Sequence, residues 1–200
     1  MEMEAVKRSQ EGAGRGRSRY IKLQVCSRVT AGLAALAAAT LMGFNKQTSV
    51  VAGFAIEASY RFSPAFKFFV VGNAIACGYS VVSLPFVSNL VEGCTLNLFD
   101  LVRMKLESSW KKSSWLSHRL LVLAQMNLGL LMAAAAAASA VGYVGKHGND
   151  EIGWAKVCAY YERFCGRTEI ALGCSYVAFL LFLFVCALFS VYKSRQVNSE

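Results

Sequence analysis

Four long apolar blocks constrain this chain more than any other feature, because each is long enough to cross a lipid bilayer. They run over about residues 25–44, 66–90, 116–143 and 170–192. A helix rises about 1.5 Å per residue, so about 20 apolar residues cross the hydrocarbon core. Lipid offers the backbone no hydrogen-bonding partners, so each block must satisfy its own as a helix. The sequence therefore predicts an all-α membrane protein, a four-transmembrane-helix bundle.

The basic residues predict how this bundle sits in the membrane. The two termini and the middle loop together carry twice as many lysines and arginines as the other two loops. Because loops rich in lysine and arginine stay on the cytosolic side, both termini are predicted to be cytosolic. This asymmetry also accounts for the net charge of +9 without nucleic acid as a partner, and it makes anionic membrane lipids the expected partners of the basic N-terminal residues.

The chain divides into one membrane domain and two tails. Residues 1–22 are rich in glycine and arginine and poor in apolar side chains, which predicts a disordered cytosolic tail. Residues 23–192 form the four-span membrane domain, and residues 193–200 form a short cytosolic tail. The first outer loop, residues 45–65, contains several apolar side chains, which favour either packing on the membrane surface or a short hairpin. Cys94, just beyond the second block, is a candidate for acylation.

Small residues recur every four positions on the first three blocks. Gly72 and Ala76 align on the second block, and Gly129 and Ala133 align on the third. Helices in lipid associate through close backbone approach, so these rows are predicted to be helix-packing faces. Two alternatives stay open, since such a face can seal the bundle of one chain or join one chain to another.

Polar side chains within the blocks are predicted to pack between helices. Arg28 lies a few residues inside the first block, where it either extends to the cytosolic headgroups or hydrogen-bonds to Gln125 or to carbonyls of the third block. Asn73, Gln125 and Asn127 are amides within spans, for which interhelical hydrogen bonds are the expected role.

Two cysteines, Cys158 and Cys165, fall in the second outer loop. An oxidising compartment permits a disulfide there, and free thiols or a redox centre are the alternatives. The Cys-x-x-Cys spacing of thiol oxidoreductases is absent, which favours a structural disulfide.

No catalytic, metal-binding or cofactor-binding pattern occurs in the sequence. A phosphate-binding glycine loop, a nucleophile elbow and a metal-ligand cluster are all missing. The two histidines, His118 and His147, are predicted to lie on opposite sides of the membrane, which argues against stacked haem ligands. We therefore expect no cofactor and no enzymatic activity.

Several segments resemble the plant CASP-like proteins, relatives of the Casparian strip membrane domain proteins. The resemblance covers about residues 23–192 and is most specific in these segments: 45–48, 60–69, 73–80 and 143–149, followed by Trp154, Cys158, Phe164 and Cys165. This family is similar to the MARVEL tetraspan proteins. The resemblance implies four spans, cytosolic termini and a plasma-membrane scaffold, which assembles with itself or with related tetraspans and recruits cell-wall-modifying enzymes.

Two departures from the family pattern qualify this expectation. The family pairs an arginine in the first span with an aspartate in the third. Here Arg28 matches the arginine, but Ala124-Gln125 stand where the aspartate is expected. The first outer loop also lacks the Leu-Pro-Phe-Phe-type stretch of the strip-forming members. These differences favour a role in another tissue or membrane domain over the Casparian strip itself.

The residues and the resemblance together favour a self-associating tetraspan scaffold. A small channel or transporter is the first alternative, for which broken helices or several charges within the membrane would be expected. A membrane thiol enzyme that uses Cys158 and Cys165 is the second.

Overall fold

The fold is taken from a computed structural model of the chain. It describes residues 2–51, 53–88, 114–149, 151 and 153–197. Cys94, the candidate for acylation, lies outside these residues.

Four long helices dominate the described part of the chain. They are α1 (Glu2–Gly43), α2 (Pro64–Ser88), α3 (Ser114–His147) and α4 (Glu162–Val197). Each contains a segment apolar and long enough to cross a membrane: Lys22–Gly43, Pro64–Leu84, Val122–His147 and Glu162–Val191. These helices confirm the predicted four-helix membrane bundle.

The helices form a closed ring in which each packs against two neighbours. Helix α1 contacts α2 and α4 extensively, and α3 completes the ring between α2 and α4. Successive helices run in opposite directions, so the start of α1 and the end of α4 lie at one end of the bundle. We call this the termini end, and we call the opposite end, with the loops at residues 44–63 and 148–161, the hairpin end.

Helix boundaries differ from the sequence prediction at two places. The backbone is helical back to Glu2, whereas the composition predicts disorder for residues 1–22. Good helix formers such as glutamate, alanine, arginine and lysine are frequent there and offset the glycines. Helix α4 begins at Glu162, about two turns before the apolar block. Phe164 and Thr168 are buried in these turns although charged residues surround them.

The loop between α1 and α2 is a β-hairpin, one of the two alternatives that the sequence left open. Strands β1 (Lys46–Val51) and β2 (Phe54–Ser59) pair antiparallel, with Val51 opposite Phe54. Two residues connect the strands, and the second of them, Gly53, has a φ of 85°. Tight two-residue turns need such positive φ angles, which glycine adopts without steric cost.

The core has two clusters, both built from small side chains and a few large ones. The cluster nearer the hairpin end contains Ala38, Met42, Phe66, Phe69, Ala135, Ala138, Tyr161, Phe164 and Ala171. The cluster nearer the termini end contains Ala31, Ala35, Ala76, Leu131, Ala178 and Phe182. Alanines on α1 and α3 bring the backbones close, and phenylalanines on α2 and α4 fill the remaining space.

Candidate functional site

Small residues on α1 and α2 hold the bundle together from within. A Cβ atom added at Gly72 would lie 2.9 Å from the Cβ of Ala134, and one added at Gly32 would lie 2.8 Å from the Cβ of Ser80. Real side chains do not approach so closely, so glycine is required at both contacts. Ala76 is fully buried beside them. The row of Gly72 and Ala76 therefore seals the bundle of a single chain.

The corresponding row on α3 points away from the bundle. Gly129 and Ala133 are exposed, and no atom lies within 4 Å of a Cβ added at Gly129. The side of α3 that packs in the bundle is displaced from this row by one or two residues and consists of Leu131, Ala134, Ala135 and Ala138. The row of Gly129 and Ala133 thus makes no packing face within one chain.

These exposed residues belong to a longer row on the outside of α3, which we call the α3 seam. Its members are all exposed and are spaced alternately by four and three residues: Val122, Met126, Gly129, Ala133, Ala136 and Ala140. This spacing keeps residues on one side of a helix that winds around a partner helix with a left-handed twist. Small residues at four successive positions permit close backbone approach by another helix.

Gln125 is exposed next to the α3 seam, one helical turn before Gly129. A hydrogen bond between Arg28 and Gln125, one of the alternatives for Arg28, is not formed in the structure, because Gln125 lies on the outer side of α3. In the described part of the chain the Gln125 amide has no hydrogen-bonding partner. An amide that faces lipid without a partner costs free energy, which a polar group from another chain would recover.

Arg28 instead belongs to a polar cluster at the termini end, between α1, α2 and α4. Its side chain is 9% exposed, and its Nε donates to Oε1 of Gln24 at 3.4 Å. Gln24 Nε2 donates in turn to the carbonyl oxygen of Val185 at 3.2 Å. The Arg28 guanidinium also hydrogen-bonds with Tyr79 and lies near the Cys186 thiol. This cluster fixes α1 against α2 and α4. The sequence did not reveal it, because Tyr79, Val185 and Cys186 lie far along the chain from Arg28.

The amides of Asn73 and Asn127 are both buried in the bundle. Asn73 Nδ2 donates to the carbonyl oxygen of Phe69, one turn earlier in its own helix, at 2.9 Å. Its Oδ1 and both polar atoms of Asn127 have no hydrogen-bonding partner among the described residues. The interhelical hydrogen bonds expected of these two amides stay a prediction.

At the hairpin end, the first loop is fixed to the start of α4. The Asn45 side chain, 1% exposed, donates through Nδ2 to the carbonyl oxygen of Phe164 at 2.8 Å and to the Thr168 hydroxyl at 3.2 Å. The Phe164 amide donates to Oε1 of Gln47 at 2.8 Å, and the Tyr161 hydroxyl donates to the carbonyl oxygen of Ile56 at 3.1 Å.

The second loop is closed by a disulfide between Cys158 and Cys165, whose Cα atoms are 5.8 Å apart. Cys165 lies in the first turn of α4, so the bond ties the loop to the helix that also carries the hairpin. Together with the contacts of Asn45, Gln47 and Tyr161, it makes the two loops one continuous cap over the hairpin end.

Comparison with known sequences places this architecture in a family. Residues 17–181 match the family described as the Casparian strip membrane protein domain. The chain belongs to this family. The match covers most of the chain, including the seam on α3, the hairpin and the disulfide loop, and it confirms the resemblance.

Relatives within the Casparian strip membrane protein domain family come from several plants. A CASP-like protein 1F1 of Vitis vinifera is 36% identical over 90% of this chain and 78% of its own length. A CASP-like protein 1F1 of Ricinus communis is 34% identical over 90% of each chain. A Casparian strip membrane protein 1 of Medicago truncatula is 36% identical over 84% of this chain and 83% of its own length. No solved structure matches the chain.

The family members' names describe membrane proteins, and the structure offers no metal centre in its described part. No group of three or more histidine, cysteine, aspartate or glutamate side chains comes together among the described residues.

Proposed function

We propose that this chain is a self-associating scaffold of the plasma membrane that forms a membrane domain and recruits cell-wall-modifying proteins, and that it is not an enzyme. The observation that carries the proposal is the α3 seam, a row of small exposed side chains that the chain's own bundle leaves uncovered. Family membership supports a role at the membrane, because the family is named for the membrane proteins of the Casparian strip.

In this proposal the termini end faces the cytosol and the hairpin end faces the cell wall. The distribution of lysine and arginine supports that orientation. The disulfide at the hairpin end also supports it, since disulfides persist in oxidising extracellular surroundings. The capped loops then form the surface that partners outside the cell would meet.

The seam itself supports self-association by two features that act together. Gly129 and Ala133 allow two helix backbones to approach closely, and Gln125 supplies an amide that a second chain can satisfy. Two copies related by a two-fold axis would bring the same residues together, so one seam is sufficient for a symmetric pair. Related tetraspans with a similar surface on α3 would pair in the same way.

The test separates the seam from the interior of the bundle. We expect Gly129→Leu and Ala133→Leu to reduce the number of subunits counted in single complexes and to raise lateral mobility after photobleaching. The melting temperature of the purified protein should stay close to that of the wild type, since the site of Gly129 is open.

Gly173→Leu is the matched control, because Gly173 is an exposed glycine of α4 with no atom within 4 Å of an added Cβ. It should leave both subunit number and mobility unchanged. A wild-type protein that is monomeric and diffuses freely at native abundance would overturn the proposal and favour the small channel or transporter.

A further inference from the structure

A cavity of about 430 Å³ lies between α3 and α4 at the hairpin end, in addition to the surfaces described so far. Its apolar walls include Phe66 on α2 and Leu172 on α4, and the Cys158–Cys165 disulfide closes it towards the loops. Pockets that bind small molecules begin at roughly 300 Å³, so this space is large enough for part of a ligand.

Two glycines of α3 widen the cavity on the side that faces α4. Gly142 and Gly145 line it one turn apart, and Ser139 follows at the next turn inward. A Cβ added at Gly142 would lie 3.9 Å from Cδ1 of Leu172, and one added at Gly145 would lie 3.9 Å from Sγ of Cys158. Both distances are ordinary van der Waals contacts, so an alanine would fit at either position and would take up part of the space.

The position of the cavity indicates that a ligand enters from the bilayer. Gly142 and Leu172 belong to the membrane-crossing segments of α3 and α4. Val141, which also lines the cavity, is exposed on the outside of the bundle. At the inner end, the Ser139 hydroxyl bonds to the carbonyl oxygen of Ala135 at 2.8 Å and contacts the Tyr176 hydroxyl at 2.9 Å. These hydroxyls satisfy one another, so the inner end suits a hydrocarbon chain.

The mouth of the cavity carries one charge of each sign. Lys146 Nζ and Glu169 Oε1 are 2.6 Å apart and join α3 to α4, yet their side chains remain 55% and 56% exposed. A lysine ammonium has three donors and a carboxylate has two oxygens, so each group can accept another partner without breaking the pair. A ligand with a negative phosphate and a positive ammonium complements both, whereas an anionic headgroup would be repelled by Glu169.

We propose that this cavity binds one acyl chain of a zwitterionic phospholipid, whose phosphate contacts Lys146 and whose ammonium contacts Glu169. The lipid fills the space between α3 and α4 that the glycines leave open. This site is separate from the α3 seam and does not depend on self-association.

The experiment uses the full-length protein in nanodiscs of phosphatidylglycerol with a trace of a photoreactive probe. The probe is phosphatidylethanolamine with a diazirine on its acyl chain, and phosphatidylglycerol and sterol probes are compared with it. We expect the phosphatidylethanolamine probe to label peptides that contain residues 139–145 and 168–172 more strongly than either of the other probes.

Two substitutions test the two halves of the site. Gly142→Val should reduce labelling, and each methylene group of the ligand that it excludes weakens binding about fourfold. If the valine variant does not fold, Gly142→Ala replaces it and should also reduce labelling, by a smaller factor. Glu169→Gln should remove the preference for phosphatidylethanolamine over phosphatidylglycerol while labelling by an acyl chain continues.

Gly173→Val, on an open face of α4, is the control and should label as the wild type does. Equal labelling of the wild type and both Gly142 variants would overturn the proposal. So would labelling by the sterol or phosphatidylglycerol probe that equals or exceeds that of phosphatidylethanolamine, or labelling spread evenly around the bundle.

Discussion

Single glycines divide into those that the bundle requires and those that it leaves open. Gly72 and Gly78 lie on the same helix, but only Gly72 meets another helix, with Ala134 2.9 Å from an added Cβ. We expect Gly72→Ala to lower the free energy of unfolding by about 1–3 kcal/mol relative to Gly78→Ala, because the extra methyl group forces α2 and α3 apart. The gain in helix propensity is the same for both variants and cancels. Thermal unfolding of the two variants in one detergent measures the difference, and equal melting temperatures would contradict this packing.

At the same scale, the sequence predicted that small residues pack but not which of them do so within the chain. Gly72 and Ala76 on α2 are buried, while Gly129 and Ala133 on α3 are exposed. An α-helix has 3.6 residues per turn, so a row spaced by four drifts around the helix. On α3 the alanines from 133 to 138 occupy all sides of the helix. The sequence alone therefore does not indicate which side faces the interior of the bundle. Ala134, Ala135 and Ala138 are buried because they lie on the side of α3 that contacts α2 and α4.

Among the elements, the hairpin depends on α4 for its position. Asn45 is the main connection, with its buried side chain bonded to Phe164 and Thr168. We expect Asn45→Ala to cost about 1–3 kcal/mol, since the carbonyl of Phe164 loses a buried donor. Backbone amides in β1 and β2 should exchange hydrogen faster, whereas amides in the spans keep their protection. Thr48→Ala, an exposed position on β1, is the control. Unchanged exchange in the Asn45 variant would show that the hairpin is held by other contacts.

The elements show where sequence reasoning reached its limit. Helix number and approximate span positions follow from apolar length, and the disulfide cysteines follow from their shared loop. The attachment of the hairpin does not, because Asn45 and Phe164 are 119 residues apart and neither residue type is distinctive. The surroundings of Arg28 were not predicted either, since they are formed by Gln24 of α1, Tyr79 of α2 and Cys186 of α4. A single charged pair would have placed its partner on the third span.

For the whole molecule, the testable property is orientation in the membrane. The basic residues predict that the hairpin end faces outward. A single cysteine introduced at Asn149 should react with an impermeant maleimide on intact cells. One introduced at Lys111, outside the described residues, should react only after permeabilisation. A cysteine at position 149 that reacts only in permeabilised cells would reverse the orientation and would place the lipid cavity in the inner leaflet.

The ring order of the helices also governs how proximity assays of this protein must be built. Helices α1 and α4 are neighbours, and Gln24 on α1 is hydrogen-bonded to the backbone of Val185 on α4 near the termini end. The two ends of one chain therefore leave the bundle next to each other. Fluorescent-protein halves fused to the two ends of a single copy can therefore complement each other without any second copy. Reporter halves carried at the same end of two different copies give a signal only when copies meet.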